Sequence, residues 1–219
     1  KKIYYLAKKI QDKYKSNELD VEFAIDKKKK INILQVRKLP KKKIDNHLDY
    51  KKILNNIEKK IKKLKLKNFN QLGKTTYFGT MPDWNPAEIV GTKPKPLALS
   101  LYQELITNNV WANNRKTYGY RDVSDSHLMT TFYGTPYVDI RTDFNSWIPS
   151  DLDENLSEKL VNFYLDKFKS NSQHHDKIEF EILFTCFNFV TREKINRDLI
   201  KFTNFERKQI IESLKKITK

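Results

Sequence analysis

The sequence predicts an α+β fold, mainly α-helical, with an N-terminal helix plus β-hairpin followed by a helical region that carries a small β element. Three observations lead there. Apolar residues recur at helical spacing in several windows, among them 47–66 and 151–169. Period-two alternation is confined to short runs, 20–25 with 31–37 and then TFYGTPYVDIR. Between 68 and 92 the composition changes abruptly, with Gly73, Gly79, Pro82, Pro86 and Gly91 marking an ordered, loop-rich boundary.

Taken in order, residues 2–14 place Ile3, Leu6, Ala7 and Ile10 on one helical face, and Ser16-Asn17 ends the helix. Strands over 20–25 and 31–37 are joined by a lysine turn, and Pro40 closes the unit because proline cannot continue a central strand. A helix plus one hairpin is too small to hold a core alone, so this unit is expected to be the end of a larger domain. Residues 47–66 read as an exposed connecting helix, with Leu48, Ile53, Leu54, Ile57, Ile61 and Leu64 on one side and lysines on the other. Next come a helix over 96–111 with Leu97, Leu101, Leu105 and Ile106 inward, and the strand-turn-strand of TFYGTPYVDIR. The helix over 151–169, capped by Ser150 or Asp151, buries Leu152, Leu156, Leu160, Phe163, Tyr164 and Phe168. Residues 178–189 fit either a strand or a buried helix, and helices follow over 192–199 and 204–217. The expected division is 1–40, a lysine-rich connector 41–72, and a central domain 73–219.

The net charge of +16 comes from 43 basic and 27 acidic residues. It is a segment property, because residues 27–67 hold 17 of the basic and only 3 of the acidic residues. Of the basic residues 36 are lysine, and Arg37 is the one arginine in that segment. Arginine is the group suited to bidentate phosphate and guanine contacts, and Tyr50 is the one aromatic residue among those lysines. A nucleic-acid partner is therefore not expected, and the segment reads as a solvated face. No apolar run approaches the roughly 20 residues needed to cross a bilayer, and the N-terminus lacks a signal-peptide pattern, so no membrane partner and a cytoplasmic location are expected. The single cysteine, Cys186, reads as a buried core residue.

Candidate chemistry sits in two places. Alternate residues of a strand share a face, so Gln35 and Arg37 point together and Glu22 can join them across the hairpin. A carboxylate, an amide oxygen and a guanidinium suit Mg2+ and the phosphates of ATP, although an ordinary polar hairpin surface explains the same pattern. In the central region, Asp83, Trp84, Asn85 and Glu88 lie in a proline-held loop where the indole offers a stacking face. Asp83 or Asn85 could equally cap a turn there. Arg115, Tyr118, Tyr120 and Arg121 could meet a carboxylate or phosphate. Asp139, Arg141, Asp143 and Asn145 alternate in DIRTDFN and could line one wall of a pocket or form a salt-bridge scaffold.

LAKKIQDKY, LDVEFAID and ILQVRKLP together resemble the end of the ATP-grasp domain of the phosphoenolpyruvate synthase and pyruvate phosphate dikinase family. There an amphipathic helix leads into an Asp-Ile/Val-Glu-Trp/Phe-Ala strand, and a second strand ends Ile-Leu/Val-Gln-x-Arg-Pro. The resemblance implies that Glu22 and Gln35 are magnesium and nucleotide ligands and that Arg37 binds phosphate. Lys38 departs from the family, which has proline there. NPAEIVGTKPKPLA is distantly similar to the substrate-binding domain of rifampin phosphotransferases, and residues 78–150 resemble the middle region of phosphoenolpyruvate-synthase-like proteins encoded with surface-glycan genes. The implied activity is a dikinase-type transfer from ATP to a histidine on a mobile domain and then to a small-molecule acceptor. Neither the glycine-rich histidine motif nor the earlier ATP-grasp elements occur here, and His174 and His175 lie in a helix-to-strand connection. The expectation is thus a piece of a larger enzyme, inactive alone, whose partners are the rest of the ATP-grasp domain and the phosphohistidine domain. The alternatives are a non-catalytic glycan-recognition or spacer module and a nucleic-acid binder using the lysine helix.

Overall fold

The computed structural model describes residues 2–39, 49–66, 70–80, 82, 85–170 and 177–219. The described residues form an α+β fold, mainly helical, with one two-stranded and one three-stranded sheet. They divide into two compact units, Lys1–Asp49 and Tyr50–Lys219.

In the first unit, α1 (Lys2–Tyr14) precedes the antiparallel pair β1 (Leu19–Ile25) and β2 (Ile31–Lys38). The turn between the strands is closed by Asp26, whose Oδ1 accepts from the backbone N–H groups of Lys28 and Lys30 at 2.9 and 2.8 Å. Lys29 takes the left-handed conformation there, with φ 59°. Ile3, Leu6, Ala7 and Ile10 of the helix and Val21, Phe23, Ile31 and Ile33 of the hairpin line one small apolar hollow. Ile10 is the one buried side chain of α1.

The second unit begins with α2 (Tyr50–Lys65), where the connector was expected. The helix belongs to this unit because it is tied to it at several points. Lys60 Nζ donates to the Thr131 carbonyl at 2.8 Å and lies over the Phe132 ring, and Arg141 donates to the carbonyls of Leu64, Lys65 and Leu66. β3 (Phe78–Gly79), β4 (Met129–Phe132) and β5 (Thr135–Asp139) make an antiparallel sheet ordered β3-β5-β4. Between β3 and β4 run α3 (Pro86–Ile89), α4 (Pro96–Tyr102), a π-helical turn Gln103–Thr107 and α5 (Val110–Thr117). After β5 come α6 (Ile140–Asn145), α7 (Glu154–Ser170), a π-helical segment Ile178–Ile182, α8 (Thr191–Asp198) and α9 (Asn204–Thr218).

The main core joins α6, α7, α8 and α9 through Phe144, Leu160, Tyr164, Ile195, Ile210 and Leu214, with a second cluster around Trp111, Leu128 and Val138. The α7 stripe lies as the spacing indicates, but its N-cap is Asp153, whose Oδ1 accepts from Leu156 N–H at 2.9 Å. α9 starts with a complete capping box between Thr203 and Glu206.

Three expectations need correcting. The single helix over 96–111 is broken by the π-helical turn, and Leu97, Leu101 and Leu105 face outward at 71, 50 and 63% exposure. Tyr102, Thr107 and Trp111 take the buried side instead, because the aromatic rings bury more area than the leucines. Residues 178–189 form neither one strand nor one helix: after Ile182 the chain runs irregularly, which leaves Cys186 exposed. DIRTDFN is not a strand beyond its first residue, since Asp139 ends β5 and caps α6.

Gly73 packs against α7 with φ +100°, and a Cβ there would stand 2.8 Å from Val161 Cγ1 and 2.9 Å from Leu165 Cδ1. Gly73→Ala is expected to cost about 2 kcal/mol from left-handed strain and overpacking, read as a lowered urea midpoint. An unchanged midpoint would show that α7 shifts freely at this point.

Candidate functional site

The hairpin register settles which side chains share a face. Glu22 pairs directly with Gln35, and the neighbouring same-face pair is Asp20 with Arg37. Between Glu22 and Phe23 the register slips, leaving Leu34 opposite no residue, 67% exposed. That bulge keeps two faces distinct. Val21, Phe23 and Ile25 face the same way as Val36, Ile33 and Ile31, while Asp20, Glu22, Gln35 and Arg37 hold the other face.

The polar face presents its groups to solvent. Arg37 Nε and Nη2 both reach Asp20 Oδ2, at 2.7 and 2.6 Å, with side-chain exposures of 61% and 36%. Sequence reasoning missed Asp20, although the signal was available: it lies two residues before Glu22 on the same strand and so shares its face. Glu22 and Gln35 make no side-chain hydrogen bond among the described residues. Their oxygens therefore remain available as hard ligands. No group of three or more His, Cys, Asp and Glu side chains able to hold a metal occurs among the described residues. A single carboxylate and an amide fit magnesium that is shared with phosphate oxygens, since that ion is commonly bound through one or two protein oxygens.

The central candidates are scattered. Asp83 and Trp84 lie outside the described residues, as do His174 and His175. Asn85 caps α3, its Oδ1 accepting from Glu88 N–H at 3.1 Å, and Glu88 is exposed in that short helix. The Arg115 guanidinium stacks on the Trp147 ring at 3.4 Å, and Trp147 meets Tyr120 edge to face. Arg121 Nη2 donates to the Asn70 carbonyl at 3.2 Å and stands 3.9 Å from Glu154.

Asp139, Arg141, Asp143 and Asn145 are buried, not arrayed along a strand. The side chains of Arg141 and Asn145 serve the passing backbone. Asp139 Oδ1 accepts from Thr76 Oγ1 at 2.6 Å and from Thr142 N–H at 3.1 Å. Asn145 accepts from Leu72 N–H and donates to the carbonyls of Leu72 and Arg141 at 2.9, 2.9 and 2.7 Å. Burial pushes the Asp139 carboxyl above its usual range, with the Thr76 hydroxyl and the Thr142 amide pulling the other way.

A cleft of about 510 Å3 opens beside α7, lined by Lys159, Phe163, Lys167, Asp198, Ile200 and Phe202. None of the candidates read from the sequence lines it. Two of its lysines are paired in place, Lys159 with Glu206 at 2.8 Å and Lys167 with Asp198 at 2.7 Å. Among the described residues no helix is long and apolar enough to cross a membrane.

No protein-family model, no curated protein and no solved structure matches this chain.

Proposed function

We propose that the chain contributes the nucleotide-facing hairpin of an ATP-dependent phosphotransferase resembling phosphoenolpyruvate synthase. The observation carrying this reading is the register: Glu22 opposite Gln35, with Arg37 beside them on one exposed polar face. Glu22 and Gln35 would hold magnesium, which when bound neutralises phosphate charge and polarises the transferring group. Arg37 keeps a planar fork over the same face, suited to a phosphoryl oxygen. Asp20 fixes the direction of that fork through its two short contacts.

In the intact enzyme the β-phosphoryl of ATP passes to a histidine carried elsewhere in the protein and then to a small-molecule acceptor. ATP and water leave as AMP and orthophosphate over the cycle. The second unit is the docking or acceptor-binding part in this reading.

The test is incubation of the intact protein with magnesium and ATP labelled at the β-phosphate. Acid-labile label on the protein is expected, and ATP labelled at the α-phosphate is expected to leave none. A folded protein that takes up no β-label would sink the proposal and turn attention to the second unit as a glycan-recognition or spacer module.

A further inference from the structure

A second cleft, about 360 Å3, lies between α8 and α9 and is lined by Arg192, Asn196, Asn204, Arg207, Lys208 and Glu212. It falls outside every feature used above. In the 510 Å3 cleft Lys159 and Lys167 each already have a carboxylate within 3 Å. Here three cations converge against one carboxylate.

Arg192 and Lys208 have no hydrogen bond or ion pair among the described residues. Arg207 is held differently, with Nη1 donating to the Leu199 carbonyl at 3.1 Å and Nη2 to Asn204 Oδ1. That guanidinium is thus fixed in orientation, while Arg192 and Lys208 are exposed beside it and act on Glu212 only through longer-range charge attraction. The spacing follows from helix geometry: Arg192 and Asn196 are four apart on α8, and Asn204, Lys208 and Glu212 are each four apart on α9, so both helices turn one polar stripe into the cleft. Glu212 is engaged by Lys215 Nζ at 2.8 Å, which offsets its repulsion of an incoming anion.

We infer that the α8–α9 cleft binds a small phosphate monoester. Arg192, Arg207 and Lys208 face the phosphate, and Asn196 and the Glu212 carboxylate are placed for hydroxyls on its carbon skeleton. Arginine's fork and lysine's point charge are the usual phosphate partners, and the volume matches the lower end of small-molecule sites. A carboxylate at the rim disfavours a ligand that is anionic throughout and favours one with donors next to the phosphate.

The experiment titrates the full chain with glycerol 3-phosphate, inorganic phosphate and glycerol at constant ionic strength, by calorimetry. Saturable binding of glycerol 3-phosphate is expected with a dissociation constant on the order of 1 mM, weaker binding of inorganic phosphate, and none of glycerol. Arg192→Ala and Lys208→Ala, both at exposed positions, are each expected to weaken binding about tenfold, while Lys201→Ala, outside the cleft, leaves it unchanged. Absence of saturable binding, equal competition by acetate, or binding that survives both cleft substitutions would each overturn the inference. None of these outcomes depends on ATP-derived label, so this site and the hairpin reading fail or succeed separately.

Discussion

Arg37→Ala is expected to lower β-phosphoryl labelling of the intact protein about a hundredfold to a thousandfold, the range found when one preorganised donor to a developing charge is removed. The side chain is largely exposed and its hydrogen bonds among the described residues go to Asp20, so the loss should come without unfolding, and unchanged circular dichroism would confirm that. Glu22→Gln is expected to cause a similar loss that higher magnesium partly restores, because it removes a charge and keeps a hard oxygen. Magnesium should not rescue Arg37→Ala. Asp20→Asn is expected to cost less, about tenfold, since it loosens the direction of the guanidinium without removing it. Full labelling of Arg37→Ala would show that this arginine does not meet the phosphates.

The contrast between hairpin and central region shows what a sequence exposes. Strand alternation is local, so Gln35 and Arg37 could be put on one face from spacing alone, and Glu22 followed from the hairpin. The bulge at Leu34 was not legible, because no glycine or other local sign marks it. In DIRTDFN the same period-two logic failed. Polar residues two apart suggest a pocket wall or a salt-bridge scaffold on one strand face, whereas Asn145 and Thr142 face a segment more than 70 residues earlier, through Leu72 and Gln71. Long-range satisfaction of backbone groups leaves no periodic trace. The leucines of 97–105 carry a related lesson: helical spacing identifies one face, but whether the core takes that face depended on Tyr102 and Trp111. The α8–α9 cleft escaped notice because its cations come from two helices and carry no motif.

Arg141 gives the largest expected effect on stability. An α-helix ends with its last four carbonyls unpaired, and the oxygens of Leu64 and Lys65 at the end of α2, with that of Leu66 just past it, all accept from the Arg141 guanidinium at 3.1 to 3.3 Å. The residue is 1% exposed. Burial disfavours its charge, and the carboxylates of Asp139 and Glu158 counter that cost. Arg141→Ala therefore removes three charge-assisted hydrogen bonds and leaves Asp139 buried without its nearby cation, at an expected cost of about 4 kcal/mol. Arg141→Met keeps the stem's packing and should recover about 1 kcal/mol of that. The measurement is urea denaturation followed by the fluorescence of buried Trp111 and Trp147, with amide exchange over residues 61–65 reporting the end of α2. Loss of protection there ahead of global unfolding would mark the guanidinium as the device that joins α2 to the second unit. Arg141→Ala within about 1 kcal/mol of the parent, the ordinary worth of a single net hydrogen bond, would mean that water replaces it and that α2 is held by Lys60 and its apolar face instead.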